Sequence, residues 1–547
     1  MRITLSMLVF AIGALSLAGA LPEAAPQHAQ ATPQAGPPPV VSTSETCIAC
    51  HTGITGPTGE NLSFVTSWQT SLMANSARDP YWQAGVRREV TDHPSARAAI
   101  EDECSACHMP MARYLAHHGG GHGEVFTNLP AGMSMAPHAT LAADGVACVV
   151  CHQITPEGLG TKASFNARFK LAAPTPGAVP KIFGPFDVDK GRTRLMRSST
   201  GFEPAKATHL AESDMCGSCH TLFTTSLGPN GEALGEFPEQ MPYLEWQHSE
   251  YRTTKSCQAC HMPVVQEPVP VTSVLGQPRE GVSRHTFQGG NFFMQRMLAR
   301  YRTELGVQAW PEDLDAAARR TLEHLGTETA GLSIATTRLA GNRLAAEVTV
   351  SNLAGHKLPT AYPSRRAWLH VIVRDAQGAA IFESGAARPD GSIVGNDNDE
   401  DGARYEPHHL EVTSPGQVQI YEAIMGDPQG AVTTGLLRAV TYLKDNRILP
   451  KGFDKATASK DIAVRGRAAS DSDFGAGVDR VRYIVDVSQA TGPFTVEATL
   501  NYQTIAYRWA RNLAEYKAPE PERFVRYYDA MAAGATARLA RTSVQAQ

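Results

Sequence analysis

This sequence has no cysteine outside one recurring pattern, and after residue 20 no apolar run approaches the length of a membrane-spanning helix. It carries no P-loop, no dinucleotide fingerprint and no nucleophile elbow. Neither sign of charge dominates: 49 Lys and Arg stand against 54 Asp and Glu, a net of −5 that is not concentrated in any stretch. The charge balance argues against binding nucleic acid through a basic face. The missing loops remove the sequence basis for nucleotide-driven chemistry or a serine hydrolase. A disulfide framework is excluded as well, because such frameworks belong to short, loop-rich chains and not to 547 residues.

What is present is a single pattern, Cys-x-x-Cys-His, written five times and using all ten cysteines. The copies are Cys47/Cys50/His51, Cys104/Cys107/His108, Cys148/Cys151/His152, Cys216/Cys219/His220 and Cys257/Cys260/His261. On one helical turn, residues i, i+3 and i+4 share a face. Two thiols and an imidazole can therefore address one porphyrin, the thiols as thioethers and the histidine as axial ligand to iron. Structural zinc sites usually take four ligands, so zinc would pair the motifs in twos, and five do not pair. A thioredoxin-like dithiol needs a βαβ context that none of the five has. The expected cofactors are five covalently bound haem c groups.

A six-coordinate haem needs a second axial ligand. His209 and His248 lie shortly before the fourth and fifth motifs, and His285 heads a helical pattern after the last one. His138 precedes the third motif in a Met/Pro-rich segment, while His117, His118 and His122 follow the second in a Gly-rich loop. Met73 lies in an amphipathic stretch ended by Asp79-Pro80. As a thioether ligand it would raise the potential of its haem, and its plainer role is core packing. His356, His408 and His409 are further candidates, for which core or surface roles are commoner. His28 reads as solvated. Asp397-Asn398-Asp399-Glu400-Asp401-Gly402 matches the first half of an EF-hand loop, which makes calcium a candidate ion. The twelfth position is His408 rather than Glu, so a solvated acidic loop is the plainer reading.

The fold class expected is α+β multidomain. A mostly helical or irregular multihaem domain leads into an antiparallel β-sandwich-like domain and a C-terminal helix. Residues 1–20 read as a signal peptide: Arg2, an apolar Ile3–Leu17 run, then Ala18-Gly19-Ala20. Residues 21–44 read as a flexible linker, 45–300 as the pentahaem domain and 301–332 as a helical connector. Residues 333–515 read as the β domain and 516–547 as a C-terminal helix and tail. Helices are expected over Arg284–Leu305, Pro311–Leu325 and Glu520–Ala540. Strands are expected over Leu344–Val350, Ala367–Val373, Ala379–Phe382, Gln417–Tyr421, Arg480–Val487 and Phe494–Tyr502. A hairpin loop is expected at Asp375–Gly378. Export to the periplasm or the cell exterior suits covalent haem.

Several strings make the chain similar to a known family. They are Asp144-Gly145-Val146-Ala147 before Cys148, Cys216 to Leu222, Pro238-Glu239-Gln240 through His248, His261-Met262-Pro263, and His285-Thr286-Phe287-Gln288-Gly289-Gly290-Asn291. Over about residues 45–300 the chain resembles the exported multihaem c-type cytochromes of the cytochrome c-554 type, with an added C-terminal β-rich domain. Gly355-His356-Lys357-Leu358-Pro359-Thr360 is similar to a segment that follows the haem domain in many such proteins. The resemblance implies electron transfer in a respiratory chain. Its partners would be donor and acceptor cytochromes or a membrane quinol oxidoreductase, and self-assembly is compatible with the sequence. Pentahaem nitrite reductases share the haem count but usually carry one Cys-x-x-Cys-Lys site, and hydroxylamine-oxidising enzymes carry eight haems. The sequence therefore favours a carrier over an enzyme. The alternative is a multihaem oxidoreductase acting on nitrite, hydroxylamine or a related nitrogen or sulfur compound at an iron with an open distal position.

Overall fold

The computed structural model describes residues 40–174 and 177–547. The expected signal peptide, most of the linker and His28 lie outside the described residues. No helix in the described part is long and apolar enough to cross a membrane.

The N-terminal half is built of short helices joined by long loops, with a few two-stranded ribbons. Each helix has a local cause. Pro80–Asp92 starts because the Asp79 carboxylate accepts from the Tyr81 and Trp82 amides and Pro80 fits the first turn. It buries Ala84, Val86 and Val90, and it stops before Pro94. The next helix, Arg97–His108, delivers the second Cys-x-x-Cys-His motif at its C-terminal end.

The expected Arg284–Leu305 helix is shorter than its apolar pattern suggests. It begins at Phe292, breaks after Arg300 and resumes as Arg302–Leu305. Phe287 takes a left-handed backbone with φ +45, and Gly289-Gly290 follow. The Asn291 side chain then caps the helix by accepting from the Met294 amide. His285 therefore sits in a turn and not at a helix head. Pro311–Glu328 forms the second helix of this connection.

The C-terminal half contains two sheets. Strand Arg366–Arg374 pairs antiparallel with Phe494–Gln503 on one side and Ile420–Gly426 on the other, within a seven-stranded sheet. Strand Arg343–Asn352 lies between Ala330–Leu339 and Val478–Asp486 in a four-stranded sheet. Side chains alternate across a strand, so one face of each sheet points inward. Val348, Val350, Val481 and Tyr483 from one sheet share a core with Leu369, Val371, Val496 and Leu500 from the other. Asp375–Gly378 turns the chain between Arg366–Arg374 and Ala380–Ser384, with Gly378 at φ +83.

The end of the chain corrects the sequence reading. The expected Glu520–Ala540 helix stops at Asp529, and Thr536–Ala546 is a strand. That strand pairs antiparallel with Phe494–Gln503 along its whole length. Ala537 and Leu539 face inward while Arg538 and Arg541 face out, a two-residue period that the preceding helical pattern masked.

Candidate functional site

Four of the motifs lie on short helices, and the fourth motif begins on one. The first three are in Glu45–His51, Arg97–His108 and Cys148–Cys151, and the last is in Cys257–His261. The fourth starts inside Ser213–Gly217 and runs past its end. A helical bond still closes that turn, since the His220 amide donates to the Cys216 carbonyl at 2.9 Å. The matching bond in the third motif joins the His152 amide to the Cys148 carbonyl at 3.0 Å.

The motifs meet one another at their cysteines. The Cys47 thiol interacts with Cys148, Cys107 with Cys219, and Cys216 with Cys257. Cys151 lies within electrostatic reach of Cys219. The fourth motif thus adjoins the second, third and fifth, and the third adjoins the first. Two of these contacts are built alike. The Ser44 hydroxyl, three residues before Cys47, accepts from the Cys148 amide at 3.2 Å. The Ser213 hydroxyl, three residues before Cys216, accepts from the Cys257 amide at 3.0 Å. In each case a serine beside one motif caps the helix of the other.

Cys50, like Cys104 and Cys260, takes no part in these thiol contacts. It is half-buried near the end of Glu45–His51, and the cysteine it neighbours is Cys47 of its own motif. Its carbonyl accepts from the Ser273 amide at 2.8 Å and from the Ser273 hydroxyl at 3.2 Å. The helix end is thus tied to the segment that also supplies the Val271 carbonyl to His51, and His51 lies within electrostatic reach of His152 in the third motif. Of the two thiols expected to attach the first haem, Cys47 faces a second motif and Cys50 does not.

Four of the five motif histidines are held by one side of the ring. Backbone carbonyls accept from Nδ1 in His51 (Val271, 2.8 Å), His108 (Ser76, 2.9 Å), His152 (Phe183, 2.6 Å) and His261 (Gln288). This leaves Nε2 as the free nitrogen, the arrangement typical of a metal-bound imidazole. Burial lowers the basicity of all five motif histidines, pushing His108 and His261 down to about 4. The rings are therefore neutral at physiological pH, as ligation requires. Trp82 lies flat on His108, with ring centres 4.2 Å apart and planes 2° apart.

Two pairs of histidines face each other. The His152 and His285 rings are nearly parallel, 7° apart, with centres separated by 6.2 Å. The His261 and His356 rings are 15° apart, again with centres 6.2 Å apart. Face-to-face contact is impossible at that distance. An imidazole–metal–imidazole unit fits it, since two bonds of roughly 2 Å plus about 1 Å from each nitrogen to its ring centre give ~6 Å. His285 and His356 also have Nδ1 on backbone carbonyls, of Ser283 at 3.1 Å and Lys357 at 2.9 Å. His220 is exposed although Ser218 and Thr221 near it are fully buried, and burial of its surroundings lowers its basicity. These features fit a haem iron at the motifs.

The other expected ligands are placed differently. The His209 and His248 Nε2 atoms bond the Ile154 carbonyl at 2.8 Å and the Asp454 carbonyl at 2.9 Å. With Nε2 occupied, either histidine would have to present Nδ1 to an iron. Met73 lies in a turn after the helix Phe64–Gln69, and its carbonyl accepts from the Val146 amide at 2.9 Å, beside the approach to the third motif. His138 is half-buried ahead of the helix Ala139–Ala143 and shares a small recess with His122, Glu124 and Asn128. His117 binds the Asp102 carboxylate at 2.6 Å.

The acidic loop does not fit calcium. Asp397–Glu400 is a helical turn in which Asp399 holds the Arg366 guanidinium and the Ile393 amide, and Asp397 holds Arg404. A second metal-like group, His408 with Asp471 and Asp479, lies buried in the β half. Its hydrogen bonding opposes metal ligation. Gln419 and Asn446 are each oriented by a backbone amide, of His409 and Glu422, and both point their amino groups at His408 Nδ1. Nδ1 is therefore an acceptor, and the ring proton sits on Nε2 facing Asp471 at 3.0 Å. His409 bonds Glu406 at 2.6 Å.

Sequence reasoning gave His356 little weight because core or surface roles are commoner for such a histidine. It also missed the ion cluster beside it, in which Lys357, Asp445, Arg447 and Glu245 converge. The signal that could have found both was the string Gly355–Thr360, which places a His-Lys pair before a proline.

No family model and no curated protein matches this chain. Among solved structures its fold is similar to the penta-heme cytochrome c552 from Thermochromatium tepidum. The identity is 16% and the TM-score 0.53, and the match covers 92% of this chain and 98% of that chain. A match of that extent cannot be confined to residues 45–300, so the shared fold runs through the β-rich half as well.

Proposed function

We propose that this chain is an exported pentahaem c-type cytochrome that moves electrons between redox partners outside the cytoplasm. The observation that carries the reading is the adjacency of the motifs, in which Ser44 beside the first holds the Cys148 amide of the third, Ser213 beside the fourth holds the Cys257 amide of the fifth, and Cys107 of the second neighbours Cys219 of the fourth. Attachment points this close bring the cofactors of adjoining motifs side by side. The fold's likeness to a penta-heme cytochrome supports the reading. Haem c, when bound, supplies a one-electron iron couple whose potential follows its axial ligands and burial.

The chain's own residues do the positioning. The ten cysteines fix the porphyrins, and the motif histidines present Nε2. The carbonyls of Val271, Ser76, Phe183 and Gln288 set the ring orientation. His285 serves the third motif as distal ligand, opposite His152. Met73 and His138 are the distal ligands we propose for motifs whose histidine faces no second imidazole. The partners are donor and acceptor redox proteins, and export rests on the signal-peptide pattern of residues 1–20.

The test is a haem count by pyridine haemochrome and intact mass, joined to EPR of the oxidised protein. Five haems, low-spin and inert toward nitrite and hydroxylamine, are expected. A high-spin haem that turns over either compound would overturn the carrier reading in favour of an oxidoreductase. Met73→His should lower one haem potential. If no potential falls, Met73 is a packing residue.

A further inference from the structure

We infer that His356, from the β-rich half, is the sixth ligand of the haem at the fifth motif, and that a buried ion cluster spanning the two halves holds it there. The inference rests on the pentahaem reading and gives the β half a structural part in a redox centre.

The ring geometry comes first. His356 faces His261 across 6.2 Å with planes 15° apart, the separation seen independently for His152 and His285. Its Nδ1 donates to the Lys357 carbonyl at 2.9 Å, which turns Nε2 toward His261. His356 is half-buried, and burial lowers its basicity, so the ring is neutral.

The loop carrying His356 is fixed on both sides. The Asn352 side chain donates to the His356 carbonyl at 2.8 Å and to the Ile448 carbonyl at 2.9 Å. The neighbouring Lys357 is fully buried and pairs with Asp445 at 2.6 Å. Asp445 also pairs with Arg447 at 2.8 Å, and Arg447 reaches Glu245 at 3.0 Å. Glu245 belongs to the helix Pro242–Gln247 between the fourth and fifth motifs. Its second oxygen accepts from the Lys357 amide at 3.2 Å and from the Thr360 hydroxyl. One carboxylate of the N-terminal half thus holds the backbone next to His356. Two cations and two carboxylates balance inside the joint, so no charge is left uncompensated. Tyr251, shortly before the fifth motif, donates to the Leu353 carbonyl at 3.1 Å and closes the loop's other flank. Glu245, Lys357, Asp445 and Arg447 are positioning residues, and His356 is the ligand.

The experiment uses the full-length holoprotein, with haem number measured before anything else. In His356→Ala, five haems should remain attached, because attachment depends on the cysteines. One of them should pass from low-spin to high-spin in EPR. In His356→Met, which keeps bulk and a ligating sulfur, one potential should rise while the others stay within error. Glu245→Gln should shift that same potential and alter that same low-spin signal, which a merely structural role would leave alone. Unchanged spin and unchanged potentials in a five-haem His356→Met protein overturn the assignment. If His356→Ala does not fold, the methionine variant alone decides. A native protein lacking haem at the motifs would sink the pentahaem reading itself, which the initial haem count distinguishes.

Discussion

A histidine whose Nδ1 is held by a carbonyl presents only Nε2 to its surroundings, and that choice of nitrogen decides what the side chain can do. It separates His285, which keeps Nε2 free, from His209 and His248, which spend it on carbonyls. His285→Met should therefore raise one haem potential in a spectroelectrochemical titration. In the β half, the same reasoning makes the His408 group a proton-bearing network. Asp479 is fully buried there, and burial pushes its carboxyl up to about 7 from 3.8. The folded protein keeps that proton while the unfolded chain gives it up above 3.8, so native stability falls as pH rises from 3.8 to about 7. Asp479→Asn removes the titration. The variant should gain on the native protein by roughly 2–4 kcal/mol across that window, read by chemical unfolding at several pH values. A gap that does not change with pH would contradict this.

At the scale of elements, two joints carry testable weight. The Glu245–Arg447–Asp445–Lys357 cluster ties the helix before the fifth motif to the β sheets. Arg447→Met leaves two buried carboxylates facing one lysine and should cost about 3–5 kcal/mol. Chemical unfolding measures the loss, and faster limited proteolysis near residues 353–366 should accompany it. The second joint is the terminal strand Thr536–Ala546, which covers Phe494–Gln503. Ending the chain at Ala535 bares that strand's ladder, and association in size-exclusion chromatography is expected. These elements also show where sequence reading works. Leu344–Val350 and Ala367–Val373 were legible because Val, Ile, Thr and aromatic residues recur in them with partial alternation. The terminal strand was not, because its Ala and Arg residues have no strong β preference and the partner that orders them lies beyond two intervening helices. The first turns of the expected Arg284–Leu305 helix failed for a local reason, the Gly289-Gly290 pair.

For the whole molecule, the decisive feature is connectivity. The fourth motif adjoins the second, third and fifth, so it is the junction of the set. Replacing Cys216 and Cys219 with Ala should remove one haem and leave the second, the fifth and the first-with-third pair as separate groups. Stopped-flow reduction by a protein donor should then split into a fast and a slow population where the native protein gives one phase. Uniform kinetics in a four-haem variant would show that the thiol contacts do not mark the electron path.

The five motifs were readable from the chain alone because thioether attachment is local chemistry: two cysteines and a histidine must share one helical turn. Their number, the spending of every cysteine and the β character of the second half follow from the sequence in the same way. Which motif meets which, and which histidine turns Nε2 toward a motif, depend on contacts between residues far apart in the chain. Cys47 and Cys50 are equivalent in the motif, yet only the packed chain sets Cys47 against Cys148 and leaves Cys50 beside Ser273. His285 meets His152 and His356 meets His261 only once the loops and sheets are packed. A distal ligand has no spacing rule to obey, since all it must satisfy is a distance in space, and the tertiary fold alone sets that distance.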